Sequence, residues 1–155
     1  MPEWGYSVKA LDPDKTVKCA GRELKISPKA AVNICRTIRG MKIAEAKTLL
    51  EQVIKKKRPI AYRRYKKEVA HKSLPERWYA GKYPVKAANR ILRLLNELEA
   101  NAEYKGLDLE NLRIIHAASH RGRKIRSYVP RAFGRASPSF ETLSHIELVG
   151  YETPS

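Results

Sequence analysis

All of the excess charge in this 155-residue chain lies in two segments, and that limits which parts of it can build a core. Residues 55–86 hold twelve basic and two acidic residues, a net +10. Residues 121–135 hold six basic and no acidic residues, a net +6. The other 108 residues carry fourteen of each sign and sum to zero, against +16 for the whole chain. A charge of this size opposes compaction through self-repulsion unless a polyanion offsets it. A generally basic surface would spread the excess out. This distribution describes a neutral folded body that carries two dedicated polyanion-binding elements.

The length is that of one ordinary domain, and 43% apolar residues suffice for a core. No stretch approaches the ~20 consecutive apolar residues of a membrane span, so no membrane partner is expected. The start, Met1-Pro2-Glu3-Trp4-Gly5-Tyr6, has neither the basic nor the apolar region of a signal peptide. Two cysteines, Cys19 and Cys35, make no disulfide framework and suit a reducing compartment, so the cytoplasm is expected.

Residues 1–15 read as an irregular arm, with Asp12-Pro13-Asp14 as a turn signal. Residues 16–26 suit a strand with Gly21 as a bulge. Ser27-Pro28 opens a helix: Ser27 is an N-cap type and Pro28 has no N–H to leave unpaired. Ala31, Ile34, Cys35 and Ile38 share one face of it, and Gly40 suits its C-terminal end. A second helix is expected from about Ile43 to Lys55, with Ile43, Ala46, Leu50 and Val53 or Ile54 inward. Residues 56–83 lack apolar periodicity and read as a long basic loop with at most a short helical turn. Pro84 opens the longest helix, to about Tyr104, where Val85, Ala88, Ile91, Leu92, Leu95, Leu98 and Ala102 form a stripe that Gly106 ends. Leu112–Ala118 and Leu143–Tyr151 have strand character.

Between those strands lie twenty-four residues, 119–142, rich in Arg, Gly, Ser and Pro. A hairpin normally closes in a handful of residues. The connection is therefore either a disordered loop or an arm into which both strands continue. In an extended arm Val129, Arg131, Phe133 and Arg135 would share one side, and Tyr128, Pro130, Ala132, Gly134 and Ala136 the other.

Aromatic residues interleave with the basic ones. Tyr62-Arg63-Arg64-Tyr65-Lys66-Lys67 is the densest run; Trp78 and Tyr79 sit near Arg77 and Lys82, and Tyr128 and Phe133 among Arg126, Arg131 and Arg135. Lys and Arg neutralise phosphates and release counterions. Aromatic rings stack on unpaired bases, which RNA offers in loops and bulges. The rival reading is a solvated basic face with tyrosines that only cover the core.

Catalytic and metal-binding constellations are missing. None of the G-x-S-x-G, H-E-x-x-H or G-x-x-x-x-G-K-[ST] patterns occurs. His71, His116, His120 and His145 share no zinc-ligand spacing with one another or with the cysteines. Cys35 reads as a buried structural thiol. His120 reads as a phosphate or solvent contact, and His116 and His145 as sheet positions. No cofactor, metal or enzymatic activity is expected. A DNA-compacting protein would share the charge, but no zipper or convincing helix-turn-helix is visible. An RNA-modifying enzyme would need an acid–base pair or cofactor loop, and an interfacial membrane binder a large apolar face.

The chain also resembles a known family. Ser27-Pro28-Lys29-Ala30-Ala31, then Ile38-Arg39-Gly40-Met41-Lys42-Ile43 and Ala46, resemble the first two helices of the L twenty-two family of large-subunit ribosomal proteins. Ala100-Asn101-Ala102-Glu103 match in the long helix. The most specific match is Val129-Pro130-Arg131-Ala132-Phe133-Gly134-Arg135-Ala136 followed by Ser144-His145-Ile146. The likeness covers roughly residues 16–151. Residues 56–83 look like the insertion of the archaeal and eukaryotic branch (the eukaryotic counterpart is L-seventeen), and the short C-terminal end favours an archaeon.

The resemblance implies an α+β single domain over 1–155: three helices on a small three-stranded antiparallel sheet, with an extended hairpin at 119–142. It implies a structural role in the large ribosomal subunit, with large-subunit ribosomal RNA, neighbouring ribosomal proteins and the nascent polypeptide as partners, and a monomer within the ribosome. It implies that the protein binds rRNA across several domains, supports assembly and lines the peptide exit tunnel with its hairpin tip. The expected rRNA contacts are Lys56, Lys57, Arg58, Arg63, Arg64, Lys66, Lys67, Lys72, Arg77 and Lys82 in the insertion, and Arg121, Arg123, Lys124, Arg126, Arg131 and Arg135 in the arm. Tyr62, Tyr65, Trp78, Tyr79, Tyr128 and Phe133 are base-stacking candidates, and Arg126, Ser127, Tyr128, Val129, Pro130 and Arg131 the candidates for the tunnel tip.

Overall fold

The structure is a computed structural model that describes residues 5–9, 11–75 and 77–153. Within these, the chain runs β1 (Thr16–Leu24), α1 (Pro28–Ile38), α2 (Ile43–Ile54), β2 (Ile60–Ala61), β3 (Gly81–Lys82), α3 (Val85–Lys105), β4 (Leu112–Ile125), β5 (Tyr128–Pro130), β6 (Ala136–Pro138) and β7 (Glu141–Glu152). β1, β7 and β4 form an antiparallel sheet in that order. The three helices pack on one face of it, giving the α+β architecture expected. Residues 1–4 of the expected N-terminal arm, and residue 10, lie outside the described residues.

The helices form where their apolar spacing places them. Ala31, Ile34, Cys35 and Ile38 of α1, Ala46, Leu50 and Val53 of α2, and Ala88, Ile91, Leu95, Leu98 and Ala102 of α3 share one core with Val17, Leu112, Ile114, Ile146 and Leu148 of the sheet. On α3 the fully buried flank is Leu94 rather than Leu92, which is half-buried. α1 starts at Pro28, but Ser27 makes no side-chain cap; its carbonyl accepts the Ala31 N–H at 3.0 Å. Gly40 stands one residue past the C-cap, Arg39, in the left-handed conformation expected of it. The helix stops at Ile38, and Gly40, at φ +86, donates its N–H to the Ile114 carbonyl at 2.7 Å, tying the corner between α1 and α2 to β4. Gly106 ends α3: at φ +73 it is left-handed, and the Leu107 N–H reaches back to the Ala102 carbonyl at 3.0 Å.

Two irregularities in β4 decide which side chains face the helices. A register shift between Ile114 and His116 reverses the alternation of side chains. Ala117 thereby enters the core, and His116 and His120 reach the opposite face of the sheet. A second shift lies between Arg121 and Lys124. In β1 the expected irregularity at Gly21 falls between Gly21 and Leu24, and the strand ends at Leu24.

The segment 56–83 is more ordered than a basic loop. β2 and β3 pair through Ile60↔Lys82 and Ala61↔Gly81, and the Lys72 N–H donates to the Tyr79 carbonyl at 2.8 Å. Val69, Leu74 and Ala80 are buried. Poor periodicity hid these residues, because an irregular segment buries single side chains rather than a stripe.

At 119–142 both strands continue outward. The β4–β7 ladder runs from Leu112↔Glu152 to Ile125↔Glu141, and beyond it β5 pairs with β6 from Tyr128↔Pro138 to Pro130↔Ala136. The extended alternation stops at Pro130. Arg131, Phe133 and Arg135 do not line one side of a strand but belong to the closing turn, where the Arg131 N–H donates to the Arg135 carbonyl at 2.8 Å. Phe133 (φ +57) and Gly134 (φ +65) are both left-handed, as the two central residues of a tight hairpin turn must be to match strand twist. The apex is therefore Ala132-Phe133-Gly134, and Arg126 to Pro130 lie on the ascending side below it. The arm holds itself together: Ser127 and Ser139 bond across it, and the Tyr128 and Phe140 rings meet edge to face at 5.8 Å.

None of residues 123–134 is buried. Deleting them is expected to leave a cooperative melting transition with Tm within about 4 °C of wild type, the shift that ~1 kcal/mol produces in a chain of this size. Loss of the transition would show that the arm supports the core.

Candidate nucleic-acid interface

Of the sixteen cations expected to meet RNA, all but Arg58 are exposed, and Arg58 is half-exposed. At the base of the arm Arg123 pairs with Glu23 at 3.0 Å. No described acidic side chain pairs with Lys124, Arg126, Arg131 or Arg135. The outer arm is thus a strip of unneutralised charge on backbone that buries almost nothing.

In the insertion the aromatic rings are engaged with the cations beside them. Arg63 lies 5.1 Å from the Trp78 ring centre, Lys66 lies 5.2 Å from Trp78 and 5.6 Å from Tyr79, and Lys72 lies 5.6 Å from Tyr83. Trp78 stacks on Tyr79 at 4.9 Å and donates its indole N–H to the Tyr62 carbonyl at 3.2 Å. Each cation–ring contact contributes about 0.5–1 kcal/mol at exposed sites and dilutes like-charge repulsion within the segment. The interleaving therefore organises the insertion as well as decorating it. Tyr62 corrects the expectation of a stacking ring. It is only 5% exposed, its burial pushes the phenol up to about 12, and it covers the core. Trp78 is half-buried, while Tyr65, Tyr79, Tyr128 and Phe133 present open ring surface.

Asn33 fastens the insertion to the body. It is 1% exposed on α1, and its side-chain carbonyl accepts the N–H groups of Arg63 and Arg64 at 3.2 and 3.3 Å. Its amide donates to the carbonyls of Arg64 and Lys29 at 3.1 and 2.8 Å. All four hydrogen-bonding capacities of the side chain are used. Nearby, Arg121 at the root of the arm donates to the Tyr65 hydroxyl at 3.4 Å, and Lys29 lies 5.7 Å from the Tyr65 ring. Segments more than fifty residues apart thus meet on one face. Arg36 of α1 and Arg39, which caps it, stand beside Arg64 on that face, and sequence reasoning missed both. They lie in the charge-neutral part of the chain, where counting runs finds nothing. Their spacing off the apolar stripe of α1 was the available signal.

The opposite face of the sheet carries a buried carboxylate. Glu147 is 1% exposed; it accepts the Ser7 N–H at 3.0 Å and the Ser7 hydroxyl, and its Oε1 lies 2.6 Å from His120 Nε2 and 3.6 Å from His116 Nε2. His120, read from the sequence as a phosphate or solvent contact, stays exposed, but the register shift in β4 turns its Nε2 toward Glu147. Burial alone would raise the carboxyl pKa, but the hydrogen bonds from Ser7 and His120 outweigh it and bring it from 4.5 to about 2. Cys19 and Cys35 are both buried, and desolvation pushes each thiol up to about 12, so neither is a thiolate ligand. No cluster of three or more potential metal ligands occurs among the described residues, and no helix is long and apolar enough to cross a membrane. What the exposed face offers is anion recognition.

Comparison with known proteins decides the family. Residues 19–150 match the family described as "Ribosomal protein L22p/L17e", a span that includes both basic segments. The chain belongs to that family. It is 55% identical to the "Large ribosomal subunit protein uL22" of Archaeoglobus fulgidus, with 96% of each chain covered. It is 50% identical to the protein of that name from Ignicoccus hospitalis, covering 96% of this chain and 97% of the relative. It is 48% identical to that of Thermofilum pendens, covering 98% and 99%. These are archaeal ribosomal proteins and not enzymes, as the resemblance implied.

The bonds of Asn33 and of Glu147 each have a measurable consequence. Asn33→Ala strands the backbone groups of Arg63 and Arg64, and is expected to cost about 1–3 kcal/mol. Amide exchange at 62–66 should accelerate more than in α3; an unchanged exchange pattern would mean that Asn33 does not hold the insertion. Glu147 has a lower pKa folded than unfolded, so its stabilisation is complete above 4.5 and is lost as pH falls toward 2. Wild type is expected to lose up to about 3 kcal/mol over that window, and Glu147→Gln much less, in denaturant titrations at stepped pH.

Proposed function

We propose that this protein is a structural constituent of the large ribosomal subunit. It binds large-subunit ribosomal RNA across several domains and supports assembly, and its hairpin tip lines the exit tunnel for the nascent polypeptide. It works in the cytoplasm as a single copy among neighbouring ribosomal proteins. The observation that carries this reading is the arm: a self-bonded hairpin leaving the core, with four cations lacking any described acidic partner. Such an element gains little free energy from the protein itself. Phosphates neutralise it and release counterions on binding.

The apex supports the tunnel reading. A bulky residue at positive φ is strained by about 1–2 kcal/mol, yet Phe133 is held at φ +57 with 93% of its surface exposed. No described residue covers the ring, which suits a ring presented to a partner. The tip candidates Arg126, Ser127, Tyr128, Val129, Pro130 and Arg131 form the approach to this apex along the ascending strand.

The test is sedimentation of a native lysate through a high-salt sucrose gradient, with and without ribonuclease. The wild-type chain is expected to migrate with the large subunit and to be released by ribonuclease. Arg131→Glu combined with Arg135→Glu should melt like wild type but fall at least about tenfold in subunit occupancy, since two phosphate contacts become repulsive. Normal occupancy of the double variant would overturn the role given to the arm.

A further inference from the structure

Apart from the arm, the body holds a cleft of about 390 Å³ where α1, β4 and the insertion meet. Arg36 enters it from α1, Arg39 from the residue that caps α1 and Arg64 from the insertion, over walls that include Val32, Cys35 and Ala117. Ser119 lines the same cleft, and its hydroxyl is buried without a hydrogen-bond partner. Buried hydroxyls are usually paired, so one set in the wall of a cationic cleft lacks an acceptor that an anion seated there could bring. Arg39 is already oriented, since it donates to the Ala117 carbonyl at 2.7 Å. Arg36 has neither a hydrogen bond nor an ion pair among the described residues, and no described carboxylate pairs with any of the three. The Cys35 thiol beside Arg39 stays neutral, because burial raises it to about 12.

A second cleft of about 350 Å³ adjoins the first and shares Arg36, with Arg63, Asn33 and Thr37 among its lining residues. We propose that the two clefts form one groove that binds consecutive phosphodiester groups of an RNA strand, with Arg36 between them and Ser119 donating to a phosphoryl oxygen. Guanidinium forks match phosphate geometry in pairs, and the partly apolar walls strengthen each contact over its value in water. Asn33 holds the backbone of Arg63 and Arg64 in place, so only their side chains need ordering on binding. RNA is favoured over an acidic peptide because the groove is continuous with both basic segments, through Arg64 and the Arg121–Tyr65 contact. This inference rests on the proposed RNA-binding function and adds to it a site in the body.

The test uses the full chain and a naked large-subunit rRNA transcript, with affinity measured against KCl concentration. Arg36→Gln is expected to keep the wild-type Tm, weaken binding by about tenfold and reduce the log–log salt slope by about one. Arg36→Lys should restore the slope but only part of the affinity, because a point charge lacks the fork. Ser119→Ala should weaken binding about threefold without lowering Tm. If Arg36→Gln binds as tightly and as steeply as wild type while the Arg131→Glu, Arg135→Glu variant weakens, the groove is refuted and the function stands. If wild type shows no salt-dependent RNA binding, the function itself fails and the groove with it. If Arg36→Gln loses affinity for polyglutamate and not for RNA, the groove is a protein site and the proposal is overturned.

Discussion

Antiparallel pairing of β4 with β7 is the constraint on which the rest of the molecule depends. Its inner half closes the core, where Leu112, Ile114, Ala117, Ile146 and Leu148 meet the helices. Its outer half carries the same hydrogen-bonded ladder into solvent, where there is no core to hold it. A two-stranded ribbon alone is only marginally stable in water. The arm keeps its direction because the buried half of the same strands fixes register before the exposed half begins.

The ladder also decides which chemistry faces which way. One residue of irregularity after Ile114 exchanges the faces of the residues between it and the second shift past Arg121. His116 and His120 thereby go to the buried Glu147, and Ala117 and Ser119 go to the side of α1 and its arginines. Exposed arginines on one face and a satisfied internal carboxylate on the other are thus separated by the sheet. Opposite charges that would otherwise neutralise each other are kept apart.

The insertion shows how a segment of net +10 becomes ordered. Repulsion among its cations is diluted by stacking them on Trp78, Tyr79 and Tyr83, and its backbone is pinned at Arg63 and Arg64 by the amide of Asn33. Tyr62 and Trp78 cover the core beneath it. The tyrosines were visible in the sequence as partners for bases. That some of them face inward was not, because interleaved aromatic and basic residues read the same way in either role. Asn33 was equally invisible: one polar residue on an apolar helix face carries no periodic signal, and its bonds are to residues thirty positions away.

By itself the sequence determined the three helices, the strand pair that brackets the arm, the confinement of excess charge to two segments, and the family. These depend on spacing and local chemistry: apolar residues recurring at helical intervals, Pro28 and Gly106 as punctuation, and charge that repels burial. Only the tertiary structure decided that the arm turns at Ala132-Phe133-Gly134, that His120 meets Glu147, and that Arg36 and Arg39 of the neutral body join Arg64 at one cleft. Those outcomes hang on a one-residue shift in strand register and on contacts between residues far apart in the chain. Pairing of that kind is set by the packing of the whole core, and no local pattern of residues encodes it.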